Sequence, residues 1–435
     1  MSLSSPPYSA AQNTGRAGAA KQGILPPLPL FLFVLSLFFP YSLSPNIGGL
    51  TLSMPRIVVL IFFIPMVIRY LSRKQILLPD IFMFVFGIWS FISIVYNHGF
   101  FTESAATSLR GTTTVIGIEA GGVNALDAVG SYLLARAYAD SGKDVFRALL
   151  VFLICAAALC IPAAVESVTG VGYFKNPFER RWGLYRAVVI AEHSILLGLT
   201  AAIAIGFALV NAMKRGGVIP WVLLLGSLTT VFFSLSAGPF IAAFIQIGFV
   251  ALEYATRSIK NRWHIIGYTA LFLYIVLEFA STRSAFNIVA QTLTFNTGSS
   301  YYRVILYELA KPYIMEHPFF GLGYATPRLV SWMTSSIDSF WLAQSLKFGL
   351  FPTIFLGASL IAAVFAVGRS PYPRVDPEKY YDIARSGWLL AVAAMLIAGT
   401  AVHFFGNFYQ VFFFIAGLYG GLVLPATQNG GAQLR

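Results

Sequence analysis

The sequence predicts an all-α polytopic integral membrane protein, with about twelve transmembrane helices and one large periplasmic loop between the ninth and the tenth. Three observations predict it. Of the 435 residues, 57% are hydrophobic and only 11% are charged, against about 25% charged in a soluble domain. Apolar runs long enough to cross the hydrocarbon, roughly 20 residues each, follow one another along most of the chain. The Lys and Arg residues, whose excess sets the net charge at +12, fall in short clusters between those runs and not on one patch. That placement points to membrane lipid as the partner of the excess charge and away from nucleic acid.

Residues 1–23, rich in Ser, Ala, Gly and Pro, read as a disordered cytoplasmic tail and not as a signal peptide. Spans are expected at 25–44, 48–70, 76–96, 118–138, 145–166, 187–211, 218–236, 238–255 and 264–281, so that residues 24–281 carry the first nine. The fourth is the most polar, since Glu119, Asp127 and Arg136 lie within it. Gly238 and Pro239 divide the seventh from the eighth. Residues 282–336 form the loop with short helices; 337–367, 387–404 and 406–424 are the last three spans, within 337–424. A short tail, 425–435, follows. Cys155 and Cys160, five apart in one apolar run, point to different faces and are poor disulfide or metal partners.

Orientation follows from Lys and Arg. With both termini in the cytoplasm, most of the 29 fall on the cytoplasmic side, for example Arg69, Arg73 and Lys74, or Lys214 and Arg215. The loop 282–336 is then extracytoplasmic. The informative residues are the cations left outside: Lys175, Arg180, Arg181 and Arg186 before the sixth span, and Arg283, Arg303, Lys311 and Arg328 in the loop. Positive charge there opposes the orientation rule. An anion at the outer face is the natural partner, since a guanidinium grips phosphate oxygens as a fork.

No metal-ligand spacing, phosphate-cradling loop or nucleophile elbow is present, and the five histidines are scattered. No metal or other cofactor is expected. Three stretches carry the polar chemistry. In WGLYRAVVIAEHSILLG, 182–198, Arg186 and His193 are seven apart and are expected to share a helix face, with Glu192 alongside. In a helix over 300–315, Arg303 lines up with Tyr307, and Glu308 with Lys311. Then EHPFFGLGYATP, 316–327, brings Glu316, His317 and a tight turn at Gly321 and Gly323, and SSIDSFWLAQSLKFGLFP, 335–352, places Asp338 at the mouth of the tenth span. Asp338 either caps that helix, with Ser335 or Ser336 as rivals, or acts as a base. Tyr301, Tyr302, Trp332 and Trp341 either stack on sugar rings or form an interfacial belt.

The order Ser299-x-x-x-Arg303, helix, His317-Pro-Phe-Phe-Gly-Leu-Gly-Tyr324, Asp338 with aromatics, Lys347-Phe-Gly-Leu-Phe-Pro352 resembles the superfamily of O-antigen ligases and oligosaccharide repeat-unit polymerases, over about 150–365. The arginine-bearing stretch 165–198 is similar to the family's segment before its sixth span. The resemblance implies a GT-C-like fold in the bacterial inner (cytoplasmic) membrane. It implies an inverting, metal-independent glycosyltransferase that uses an undecaprenyl diphosphate-linked oligosaccharide. Chain-length regulator and export proteins are the implied partners. It casts Arg186 and Arg303 as diphosphate binders and Asp338 and His317 as catalytic groups, with His193, Glu316 and Tyr307 in support. Where ligases carry His before Asn, this chain has Asp338 before Ser339, which favours an O-antigen or exopolysaccharide polymerase over a ligase. The rival class is a saccharide exporter with Glu119 and Asp127 at membrane depth.

Overall fold

The computed structural model describes residues 25–47, 50–73, 75–100, 104–108, 111–177, 179–259, 262–280, 297–325, 337–373 and 376–423. It is an all-α structure whose described strands form three short hairpins. Among the described residues, seven helical stretches are long and apolar enough to cross a membrane: Met54–Ser72, Leu78–His98, Gly142–Thr169, Ser194–Arg215, Ala237–Ala255, Leu350–Arg369 and Tyr380–Ala398. Pro55 and Pro79 stand in the first turns of α2 (Met54–Ser72) and α3 (Leu78–His98), where a missing N–H costs nothing and the fixed φ favours the helix.

Several span limits differ from those expected. The first apolar run yields only α1, Leu28–Leu37, ten residues or about 15 Å. The run through Glu119, Asp127 and Arg136 is one helical rod: α4 (Gly117–Ala125), a π-helical turn at Leu126–Gly130, and α5 (Ser131–Tyr138). Glu119 is exposed, and the other two charges, Asp127 and Arg136, are met by neighbours. Asp127 accepts from Nε and Nη2 of Arg56, each at 2.7 Å, and from the Gln410 amide at 2.6 Å. Beyond α6 (Gly142–Ala158) and α7 (Cys160–Thr169), the sixth span is α8 (Ser194–Ala202) and α9 (Ile205–Arg215), beginning at Ser194 and not at 187. α10 (Val218–Phe233) and α11 (Ala237–Ala255) are separated by Ser234–Ser236, slightly before the expected break. The next helices are α12 (Arg262–Ala280) and α13 (Thr297–Glu316). The tenth expected span is broken at Gly349, φ 101°, into α14 (Phe340–Phe348) and α15 (Leu350–Arg369). α16 (Tyr380–Ala398) and α17 (Asn407–Gly417) complete the bundle.

The two ends of the bundle are each tied internally. At one, Asp80 is fully buried and accepts from Tyr132 at 2.7 Å, Tyr419 at 2.8 Å and Arg136 at 3.2 Å, and from the Leu77 N–H at 2.9 Å. Arg69 and Arg73 both pair with Asp140, and Lys214 with Asp382. At the opposite end, Asn407 donates to the Phe39 carbonyl at 2.9 Å, and Phe340 N–H to that of Gly399 at 2.8 Å. The aromatic core between them centres on Trp388, Phe412, Phe33 and Phe152.

Candidate functional site

The break at Gly349 organises the second end. Ending α14 there leaves carbonyls without helical donors. The FGLG turn supplies them: Leu322 N–H reaches Leu346 O at 2.7 Å, and Gly323 N–H reaches Lys347 O at 2.9 Å. Gly321 and Gly323 adopt φ 56° and 61°, as two glycines at that spacing were expected to allow. A Cβ on Gly323 would lie 2.4 Å from His98 Nε2, the atom that accepts the Tyr324 N–H at 2.7 Å. The turn is also held by α3, where Trp89 Nε1 donates to Phe319 O at 2.7 Å and Asn97 to Phe320 O at 2.8 Å.

α13 leads into that turn and lies against α14. Leu306 and Ala310 bury against Leu342 and Leu346, with Tyr302, Tyr307 and Ile337 packed around them. This contact holds Arg303, one turn before Leu306, near Asp338 at the start of α14. Burial pulls the Arg303 guanidinium down from its ordinary pKa, and the Asp338 carboxylate opposes the fall. Asp338 is not the cap of α14. Ser339 is: its hydroxyl accepts the Leu342 N–H at 3.4 Å and also donates to Gly399 O at 3.2 Å. Ser335 and Ser336, the rivals in sequence, lie outside the described residues.

Arg186 and His193 do not share a helix. Arg186 follows a hairpin, β5 (Arg180–Arg181) paired with β6 (Leu184–Tyr185), and residues 187–193 are irregular. The reason is tertiary. Fully buried Glu166, on α7, takes the N–H of both Val188 and Val189 at 2.7 Å on one carboxylate oxygen. Val189 is held at φ 46°, a conformation that costs a β-branched residue about 1–3 kcal/mol. Arg186 pairs with Glu179 and donates to Ser236 Oγ at 2.7 Å, which brings the α10–α11 junction to the site. Burial lowers its pKa as well. His193 is the N-cap of α8: its Nδ1 accepts the Ile195 N–H at 3.2 Å. Burial first, then Arg186 and Lys175, push it down to about 4, against the pull of Asp338. His193 is therefore neutral near pH 7.

Arg186, His193, Arg303 and Asp338, from three separate segments, thus lie within electrostatic reach of one another or of a shared neighbour. Glu316 and His317 are exposed at the far end of α13; Arg303 to Glu316 is thirteen positions, about 20 Å along the axis. Tyr307 is half-buried, its hydroxyl raised by burial and then by Tyr274 of α12. Arg283, Arg328 and Trp332 lie outside the described residues.

Two groups that carried no role in the sequence also face this end. Glu192 lines a cavity with Tyr41, Thr200 and Asn407, its Oε1 buried without a hydrogen bond among the described residues. Burial raises its carboxyl, with Lys175 and Arg56 opposing. The second is Lys347, whose ammonium lies 3.8 Å from the centroid of the Tyr324 ring, beside His403. The sequence signals were the adjacency of Glu192 to His193 and the place of Lys347 at the head of the Lys347–Pro352 motif. No family model matches the chain, and no curated protein matches it.

Proposed function

We propose that this protein is a bacterial polysaccharide polymerase. It transfers a saccharide from undecaprenyl diphosphate to an acceptor sugar hydroxyl at the periplasmic face of the inner membrane. In this reading the chain has twelve spans, both termini cytoplasmic, and the loop 282–336 outside. The observation that carries the reading is the gathering of Arg186, Arg303, His193 and Asp338 at one end of an apolar bundle.

The chemistry follows from the leaving group. The acceptor oxygen attacks the anomeric carbon from the face opposite the diphosphate, so the carbon–oxygen bond to phosphate breaks with inversion. Negative charge grows on the departing bridging oxygen. Arginine forks aimed at that oxygen bind the transition state more tightly than the ground state. The acceptor hydroxyl loses its proton to Asp338, which lies within electrostatic reach of Arg303. His193, neutral and with Nδ1 engaged as a cap, presents Nε2 as a hydrogen-bond donor and not as a base. Glu316 and His317 belong to the loop's outer turn, where they meet water or a partner such as a chain-length regulator.

The test is direct. Purified protein is incubated with lipid-linked oligosaccharide, in vesicles without any ion gradient, and the products are resolved by size. Polymer that lengthens with time, and fails to form with Arg303→Ala, is the expected result. Consumption that needs a gradient favours the exporter, and unchanged Arg303→Ala activity removes the site.

A further inference from the structure

The carboxylate that pairs with Arg186 is placed there by backbone register. Trp182 and Gly183, at φ 54° and 82°, make a two-residue turn whose central residues are both left-handed, the kind that fits the twist of an antiparallel pair. The pair has Arg181 opposite Leu184 and Arg180 opposite Tyr185. One position further out, Arg186 N–H donates to Glu179 O at 2.9 Å, so Glu179 and Arg186 stand opposite each other. Side chains at opposed positions of an antiparallel pair lie about 5 Å apart on one face. Arg180, next to Glu179 in sequence, lies instead over the Tyr185 ring, 4.0 Å from its centroid. The hairpin is itself held in place: Ser167 Oγ donates to Tyr185 O at 2.6 Å, and Arg181 Nη1 to Leu235 O at 3.0 Å.

The two partners are unequally free. The side chain of Arg186 is 13% exposed and that of Glu179 is 43% exposed, so the carboxylate stands on the solvent side of the guanidinium. Arg186 Nη2 is tied to Ser236 Oγ at 2.7 Å, and that hydroxyl gives its own hydrogen to Ser234 O at 2.8 Å. Arg186 Nε is buried and has no hydrogen-bond partner among the described residues. Glu179 engages one nitrogen, Nη1. A partly exposed ion pair contributes little, because water screens it and a flexible side chain must be held still. A diphosphate carries more charge and offers several oxygens, enough to meet a guanidinium at two nitrogens. It reaches Arg186 from the side that Glu179 now covers.

We propose that Glu179 is an internal stand-in for the diphosphate: it pairs with Arg186 until the lipid-linked anion displaces it. The proposal rests on the reading of Arg186 as a diphosphate binder. Arg186 exchanges a carboxylate for a phosphate group, so a largely buried guanidinium, costly to leave alone, stays paired throughout. A ligand with one weak charge gains nothing by the exchange, whereas a diphosphate gains charge and a second hydrogen bond. The pair therefore selects for the diphosphate. Glu179 is a positioning residue under this assignment; it acts on the anion through Arg186 and does not touch the reacting atoms.

The experiment uses the full-length protein in detergent and inorganic diphosphate as the probe, with binding followed by titration calorimetry at fixed ionic strength. Glu179→Gln removes the charge. Glu179→Asp keeps the charge and shortens the side chain by one methylene, so it releases the guanidinium with a carboxylate still nearby. Each should bind diphosphate about three- to fivefold more tightly than the parent, the weight of a partly exposed ion pair. With lipid-linked oligosaccharide the change should appear in KM and not in kcat, a split that a merely structural role does not produce. Weaker diphosphate binding in Glu179→Gln means that the carboxylate holds Arg186 ready for the anion, and overturns the stand-in. A gain in Glu179→Gln beside parent-like binding in Glu179→Asp is the loss of a neighbouring charge alone, and overturns it too. So does diphosphate binding that is absent from the parent and both variants. If Glu179→Gln fails to insert, Glu179→Asp decides alone. The function reading fails separately, by a parent protein that binds diphosphate but does not polymerise lipid-linked substrate. If the parent polymerises and neither variant binds diphosphate more tightly, only the stand-in falls.

Discussion

The two ends of this bundle use the same residue types to different effect. At the end of Asp80, cations meet anions at close range: Arg136 with Asp80, Arg69 and Arg73 with Asp140, Lys214 with Asp382. At the end of Arg303, several buried polar atoms have no hydrogen-bond partner among the described residues: Gln344 Oε1, Glu192 Oε1, Asn407 Oδ1 and His403 Nδ1. The contrast is one of degree, because Tyr70 Oη and Arg385 Nη1 at the first end also lack hydrogen-bond partners among the described residues. Each buried group left unpaired costs about 1–3 kcal/mol. Chains retain such a cost where a ligand removes it. The first end is closed chemistry that holds helices; in the polymerase reading proposed above, the second is where a substrate would meet the unpartnered groups.

The largest expected effect is all-or-none and decides which end faces out. A reporter fused after Gln291 should report periplasm and one after Val375 cytoplasm; both positions lie outside the described residues. The reverse pattern puts the open end in the cytoplasm, away from lipid-linked sugars displayed outside, and breaks the comparison at its functional root.

Asp80→Ala tests the closed end. It strands a buried Arg136 and the hydroxyls of Tyr132 and Tyr419, and removing one partner of a buried pair costs about 3–5 kcal/mol. The expected outcome is a large fall in membrane abundance and in the melting temperature in detergent. Activity per folded molecule should be retained. A variant that is abundant but inactive would mean that the closed end is not merely structural.

The open end should behave in the opposite sense. Arg303→Ala is expected to lose about 3 kcal/mol of transition-state stabilisation, roughly a hundredfold in rate, at normal abundance. Arg303→Lys and Arg186→Lys should fare little better, because lysine keeps the charge and loses the fork. Asp338→Asn should insert normally and lose most polymerisation, since an amide cannot take the proton. Asp338→His should retain more. These are read as rates against quantified protein, and a parent-like Asp338→Asn moves the base elsewhere, with Glu192, whose Oε1 is buried without a hydrogen bond among the described residues, the next carboxylate to test.

How much of this was legible in the sequence depends on whether the cause was local. The apolar runs announced the helices, and Gly321 with Gly323 announced the turn, because both signals sit within a few residues. Residues 187–193 read as helix because Ala187–Ala191 is apolar and runs into α8. The carboxylate that unwinds them, Glu166, is more than twenty positions away and acts through Val188 and Val189 N–H. The first run read as a span of ordinary length, although Pro40 and a 3₁₀ turn at Tyr41–Leu43 follow a ten-residue helix. Arg303, Arg186 and Asp338 could be singled out as charges in an apolar chain. The approach of His403 to Lys347 could not, since only the packing of 399–406 on α14 brings them together.

The smallest expected effect concerns a cap that the sequence did not single out. Asp338, Ser335 and Ser336 were the candidates there, and the geometry assigns the cap of α14 to Ser339. Ser339→Ala removes the acceptor for Leu342 N–H and the donor to Gly399 O, so it loosens α14 from the 399–406 segment as well as fraying its first turn. Losing an N-cap costs about 1 kcal/mol. The melting temperature should fall by a few degrees, with Arg303 and Asp338 still in register and catalysis lowered only modestly. Ser339→Asp should recover the helix cap, because a carboxylate accepts the same N–H, but not the bond to Gly399 O, which needs a donor. Full recovery by Ser339→Asp would show that the cap alone matters. No recovery would place the weight on the Gly399 contact, and with it on the segment that carries His403 to the open end.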